Sequence, residues 1–403
     1  MNQLNLCDKA LIELVKIGIG TSKGDFDFSV LSADDWKNIA RESRAQAVIL
    51  LAFDAAKDYI DLMPEDIYEA WFKLSVRVIS KNRLLLNAQT ELDNLLKQNK
   101  IEYVILKGSA SAYYYPDYSK RNSGDIDFLT AIRDFPKVKE ILINAGYEME
   151  LEDHDLHTVF KKGKVTLELH KKPAGMPDGE QGKLAEQFME STLRSAVKEE
   201  NPVFSRPDDK IHALVILFHT IYHMFAGGMG LRHLCDWACF VNKTHEESFW
   251  NDELLPLFQK MGLYKFVMTL TGACMDHLDI QCPDWFVADS KELSDEVFEK
   301  VITLGNFGRK DPNKAKHYSF ASANGERFTF WQKILKMFRS LKSTNSVMYP
   351  ILNKAPYLYP FITLWRIIKY IVLSIFGKKT TLKQRMRYTD ERAEIFERFG
   401  IYR

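Results

Sequence analysis

The sequence predicts an α+β protein in which a small mixed β-sheet core is flanked by N-terminal and C-terminal helical regions. Three observations carry that expectation. Apolar residues recur at spacings of three and four up to about residue 98, as Leu84, Leu85, Ala88, Leu92, Leu95 and Leu96 do, which is the period of a helix with one buried face. Between residues 101 and 170, short β-branched runs alternate with helical stretches and are punctuated by glycine. Helical spacing returns from Asp208.

Taken in order, a first helix is expected over 9–17, a second over 34–58 with Asp34 and Asp35 near its start, and a third over 64–98 with one or more breaks. Residues 101–106 read as a strand, Gly108 and Ser109 as a turn, and 110–115 as one or two helical turns stopped by Pro116. A polar loop follows over 117–124. The second strand is expected over 125–130, a helix over 136–145 ended by Gly146, and a hairpin over 158–161 and 164–170 around Gly163. Residues 172–206, with Pro173, Gly175, Pro177 and Gly179, read as a connecting excursion. Helices are expected over 210–225, 231–243, 254–261 and 263–276, with a sharp break at Gly227, Gly228 and Gly230. The organisation is an N-terminal helical region (1–80), an α/β core (81–172), a connecting segment (173–206), a helical domain (207–300) and a basic, apolar C-terminal region (301–403).

Composition narrows the function. The chain has 403 residues, 46% of them hydrophobic, enough for a substantial core, and its 55 basic and 54 acidic side chains leave a formal charge of +1. A protein that wraps nucleic acid needs an excess of Lys and Arg, so DNA is not an expected partner. Five cysteines without a CxxC pair indicate neither a disulfide framework nor a thiolate zinc site. Charged residues within the first twenty and within 364–376 leave neither a secretory signal nor a membrane span, and a cytoplasmic location is expected.

Asp125 and Asp127 flank Ile126, so on a strand of period two both carboxylates share one face while Ile126 and Phe128 enter the core. Adjacent carboxylates repel each other unless a cation lies between them, and hard oxygen ligands are what Mg²⁺, or Mn²⁺ in its place, takes from a protein. Glu168, a lone acid between Leu167 and Leu169, is expected as the third catalytic and metal-binding carboxylate. Upstream, Lys107, Gly108 and Ser109 lie where a strand passes into a helix, and free backbone N–H groups there favour an anion. A phosphate cradle facing a carboxylate edge suits attack on a nucleoside triphosphate.

This order resembles the nucleotidyltransferase superfamily that includes DNA polymerase beta and the aminoglycoside nucleotidyltransferases. More narrowly, Leu106-Lys107-Gly108, Tyr115-Pro116, Arg121, Gly124 to Leu129, Glu168-Leu169-His170 and Leu231 to Asp236 are similar to a bacterial family of uncharacterised nucleotidyltransferases often found among surface-polysaccharide genes. The resemblance implies transfer of a nucleoside monophosphate from a nucleoside triphosphate to an unknown hydroxyl acceptor by a two-metal mechanism. The fifteen residues between Ser109 and Asp125 exceed the superfamily's usual interval.

Each signal also has a plainer reading. Lys107 and Arg121 are placed to bind nucleotide phosphates, or form surface ion pairs with Asp117 or Asp125. His170 shares the face of Glu168 and contacts substrate or satisfies a surface hydrogen bond. His219 and His223, one helical turn apart, line a substrate pocket or serve the structure, zinc ligation with Asp236 being the less favoured reading. Arg232 and Asp236 form a helix-face pair, with Asp236 orienting the acceptor if that helix roofs the site. Cys235 and Cys239 read as small buried hydrophobes. Residues 327–342 and 364–387 carry aromatics with Lys and Arg around them, which packs on the protein itself or makes peripheral membrane-surface contact. Two other classes fit the Asp-x-Asp motif: a metal-dependent glycosyltransferase, and a non-catalytic nucleotide-binding or membrane-surface scaffold protein.

Overall fold

The computed structural model describes residues 4–152, 157–226, 228–310, 325–333, 335, 345, 349, 351–375 and 381–403. Side-chain caps set the first helices. Asn5 accepts from the Asp8 N–H at the start of α1 (Leu6–Ile19), and Ser32 and Asp35 form a capping box at α2 (Ala33–Ala45). The single helix expected over 34–58 is divided, because Ala47 takes a positive φ of 57° before the chain re-enters α3 (Ile49–Ala56). The reason lies in tertiary structure: the Gln46 amide donates to Val301 O at 3.1 Å and accepts from Leu231 N–H at 2.9 Å.

In contrast, α4 (Glu65–Gln98) runs unbroken for 34 residues. Its lapses of periodicity mark a change of partner. Trp71 packs on Phe53 of α3, whereas Leu85, Ala88, Leu92 and Leu96 join the core of the sheet. The expected boundary between the N-terminal region (1–80) and the α/β core (81–172) falls inside this helix.

The sheet comprises β1 (Tyr103–Ile105), β2 (Ile126–Thr130), β3 (Glu148–Glu152), β4 (His157–Lys162) and β5 (Val165–His170), in spatial order β1-β2-β5-β4-β3. Among the described strands only β2 and β5 pair in parallel, so the sheet is mixed as expected. Strand β3 was not foreseen; its Glu-Met-Glu-Leu-Glu sequence is that of a charged edge strand rather than a β-branched one. A one-turn helix, α5 (Ser109–Ala112), follows β1, and α6 (Phe135–Asn144) follows β2. The connecting excursion contains α7 (Gly179–Thr192) and a hairpin of β6 (Val197–Glu200) and β7 (Val203–Arg206), with β7 against β1.

The pleat separates two cores. Tyr103, Ile105, Ile126, Phe128, Leu167 and Leu169 pack beneath α4 and α6, while Val104, Leu106 and Leu129 face the other way into a larger helical core. That core combines α1 to α3 with α8 (Asp209–Ala226), α9 (Leu231–Lys243), α10 (Leu255–Lys260), α11 (Tyr264–Leu278) and an unforeseen α12 (Lys291–Leu304). The even positions of β5 and the odd positions of β2 therefore point at the helical domain. Cys235 and Cys239 are buried there, as expected. Toward the C-terminus, α13 (Tyr359–Ile375) is followed by α14 (Leu382–Arg398), and Phe396, Phe399 and Ile401 return to the helical core. Half of the helix expected over 327–342 lies outside the described residues. Among those described, no helix is long and apolar enough to cross a membrane.

His212 of α8 is fully buried, stacked on Tyr114 at 5.1 Å with Ser111 Oγ 3.3 Å from its Nε2. Burial first, and Arg206 second, push its pKa down to about 3. The unfolded imidazole takes a proton near 6.5, the folded one only near 3, so stability is complete above pH 6.5 and falls as pH drops towards 3. Each unit in that window removes up to ~1.4 kcal/mol. Urea denaturation at a series of pH values should show this decline, with a shallower slope in His212→Phe.

Candidate active site

Strand β1 delivers Lys107 and Gly108 to the start of β2, where Leu106 N–H donates to Asp127 O at 2.8 Å. Gly108 adopts φ 63° and ψ −110°, a region open to glycine, and a Cβ at this position would lie 3.6 Å from Asp125 O. The turn thus lies directly against the first carboxylate residue. The helix it opens is four residues long, so free N–H groups, rather than a macrodipole, supply what attraction for anions it has.

Asp127 and Glu168 are register partners on the parallel strands β2 and β5, with Asp125 just ahead of β2 on the same face. Lys107 Nζ and His170 Nε2 converge on Asp127 Oδ1, at 2.6 and 2.8 Å. Glu168 Oε2 is 3.3 Å from His170 Nε2 and 3.9 Å from His157 Nε2. Burial opposes the charge on Asp127, but Lys107 and His170 outweigh it and hold the carboxyl well below the ordinary range. Asp125 shifts the other way, raised by the negative charge of Asp127 and then by burial. Lys107 and His170 are both raised, Asp127 overcoming the burial that opposes their charge.

Two cavities meet at this edge. One of about 330 Å³ holds Asp125, Asp127, Glu168, His170, His223 and Arg232; the other, about 500 Å³, runs along α4 past Phe72, Val76 and Ile79 to Ser109. Lys107, Gly108, Arg121 and Asp125 border both.

The family model of the uncharacterised nucleotidyltransferases matches residues 32–279. The chain belongs to that family. No curated protein and no solved structure gives a significant match. The matched span begins at Ser32, the cap of α2, and ends at Asp279, the residue closing α11, so it takes in α2 to α4 as well as the sheet and α8 to α11, and leaves out α1.

Arg121 and Asp236, expected to serve phosphate and acceptor separately, meet each other. Arg121 Nε and Nη2 donate to Asp236 Oδ1 and Oδ2, both at 2.7 Å, and Tyr115 Oη donates to Oδ1 at 2.7 Å. Arg121 takes Asp236 in place of Asp117 or Asp125. Arg232 consequently has a different partner from the Asp236 expected on its own helix face, donating from Nη1 to Asn122 O at 3.3 Å. The long interval between Ser109 and Asp125 is tied down throughout. Asn82 of α4 donates to Arg121 O at 2.9 Å and accepts from Ser123 N–H at 3.1 Å, while Lys120 pairs with Asp54 at 2.7 Å.

Sequence reasoning overlooked Asn82 and His157, and gave His233, within the Leu231–Asp236 motif, no role of its own. His157 stands opposite His170 across β4 and β5, one residue before the expected strand start, so extending that strand would have found it. Asn82 had only the gap in apolar spacing on α4 as a signal.

Removing Asp236 would leave the Arg121 charge buried and unpaired. Asp236→Ala should cost about 3–5 kcal/mol, and the joint replacement Arg121→Met with Asp236→Leu much less. Denaturant titration of the proteins tests this; equal losses would show that the two side chains are not coupled.

Proposed function

We propose that this nucleotidyltransferase moves a nucleoside monophosphate from a nucleoside triphosphate to a hydroxyl acceptor. The observation that carries the reading is the meeting of the Gly108 turn with Asp125 and with the Asp127–Glu168 register pair at one cavity edge. The donor set suits a hard divalent cation: three carboxylates share a face, and Lys107 and His170 offset the charge of Asp127 while Asp125 still feels it. A pair of Mg²⁺ ions, or Mn²⁺ in their place, held by Asp125, Asp127 and Glu168 would stabilise the attacking oxygen and the leaving pyrophosphate.

The chain's own groups do the rest. Lys107 supplies a point charge to the phosphates, and Ser109 Oγ with the turn N–H groups orients their oxygens. Glu168 would take the acceptor proton, and His170, whose Nε2 faces both Asp127 and Glu168, orients the carboxylate that receives it. Arg121 positions this edge through Asp236 and borders the phosphate path. The apolar cleft along α4 takes base and ribose, and the smaller cavity, with His223 and Arg232 in its wall, takes the acceptor. The resemblance to a bacterial family found among surface-polysaccharide genes makes a sugar hydroxyl the first acceptor class to assay. A cytoplasmic location accompanies a triphosphate donor. On α13, Phe361, Leu364, Trp365 and Ile368 are exposed beside Lys369, which supports peripheral contact with an anionic lipid surface.

Pyrophosphate release should be measured with each nucleoside triphosphate, and UDP release with UDP-sugars, in Mg²⁺ and Mn²⁺, across sugar acceptors. Asp127→Asn should lower kcat/KM roughly 10³-fold with the fold intact; an Asp127→Ala protein that still transfers at the wild-type rate sinks the reading. Ile79→Arg, which fills the cleft along α4, should raise the KM for nucleotide by about tenfold while leaving kcat within a few fold.

A further inference from the structure

We propose that His219, His223 and His233 form a site for one transition-metal ion of the Zn²⁺ class, distinct from the carboxylate edge. His219 and His223 lie one turn apart on α8, and His233 stands in the first turn of α9. One nitrogen from each ring lies within 4.8 Å of the other two, and the ring centroids are 4.4, 4.7 and 5.1 Å apart. The third ligand is therefore His233 and not Asp236, which Arg121 occupies.

The second observation is unmet hydrogen bonding. His223 and His233 are 4% and 1% exposed, yet His223 Nδ1 and His233 Nε2 have no partner. A buried polar atom left in this way costs about 1–3 kcal/mol, which a bound metal would remove. Tetrahedral ligation at ~2.0–2.1 Å needs nitrogens about 3.3 Å apart, a closure within reach of side-chain rotation. His233 Nδ1 faces Gly230, 3.2 Å from its N–H and 3.3 Å from its O; with metal on Nε2 the ring would carry its proton on Nδ1 and donate it to Gly230 O, giving up the N–H contact. Gly230 itself is closely packed, since a Cβ there would come within 2.7 Å of Asn306 and 2.9 Å of Gln46 O.

Burial first, with Arg232 and Lys107 contributing, keeps the three imidazoles neutral, the ligating form. Nitrogen ligands select Zn²⁺, Cu²⁺ or Ni²⁺ over the Mg²⁺ that suits carboxylates. His219 and His223 line the 330 Å³ cavity, so a fourth ligand position opens into it. Arg232 nearby favours an anion instead, and the test must separate the two.

Chelator-stripped full-length protein should be titrated with Co²⁺ and Zn²⁺ in the absence of nucleotide, which keeps the result independent of the proposed reaction. One equivalent should bind with the intense visible absorption of tetrahedral Co²⁺ and raise the Tm. His219→Gln and His233→Gln should each weaken binding by about tenfold or more, whereas Asp125→Asn should retain it. Unchanged binding in His233→Gln, or loss in Asp125→Asn alone, overturns the site. So does a Tm raised by pyrophosphate but not by Zn²⁺, with the pyrophosphate effect lost in His219→Gln, which would assign the pocket to an anion. If the variants do not fold, X-ray absorption of Zn-loaded wild type decides, three imidazoles being expected and fewer than two overturning it.

Discussion

The buried pair of Arg121 and Asp236 is the interaction on which the arrangement of the site depends. One partner belongs to the loop between Ser109 and Asp125, the other to α9, and each is 3% exposed. Two charges taken out of water at that depth stay favourable only when their hydrogen bonds are met, and here both carboxylate oxygens and the Tyr115 hydroxyl are engaged. The pair therefore tolerates little displacement between loop and helix. Because the loop enters β2 and α9 carries Arg232 and His233, this one contact sets the distance between the carboxylate edge and the helical wall of the cavity. Its value is geometric; a well-packed apolar substitute would serve stability as well.

The second determinant is the period of the sheet. Odd positions of β2 and even positions of β5 face the helical domain, and the parallel register sets Asp127 beside Glu168. A slip of one residue would bury both acids beneath α4 and α6 and expose Phe128 and Leu167 to the cavity, which the apolar packing there forbids. The carboxylates thus share a face because their neighbours are held in the opposite core, and Lys107 and His170 then distribute the resulting charge.

Much of this was legible in sequence for the same reason. Ile126 and Phe128 alternating with Asp125 and Asp127 can be read without a structure, as can Glu168 between leucines and the glycine turn. What was not legible depends on contacts distant along the chain. The partner of Asp236 is 115 residues away, whereas the near candidate, Arg232, sits on its own helix. The division of α2 from α3 follows from Gln46 reaching Val301, and the continuity of α4 from its passage between two cores. His233 lay within the Leu231–Asp236 motif but received no role of its own, because its partners, His219 and His223, come from the preceding helix across a glycine break.

The near-zero net charge acquires its meaning from this placement. The +1 is a sum over segregated groups: Asp125, Asp127 and Glu168 at one strand end, Lys107 at the turn, and Arg232 on the facing helix. Lys107 and His170 both contact Asp127 Oδ1 yet leave Asp125 raised by the charge of Asp127, while Arg232 leaves Nε without a partner. An enclosed region with unmet negative charge on one wall and unmet positive capacity on the other is poorly satisfied by water or by a simple ion. A metal–phosphate complex is itself bipolar, with a cation at one end and phosphoryl oxygens at the other, and it matches both walls at once. That complementarity favours a small phosphorylated donor over a long polyanion, whose uniform charge would meet the acidic edge unfavourably.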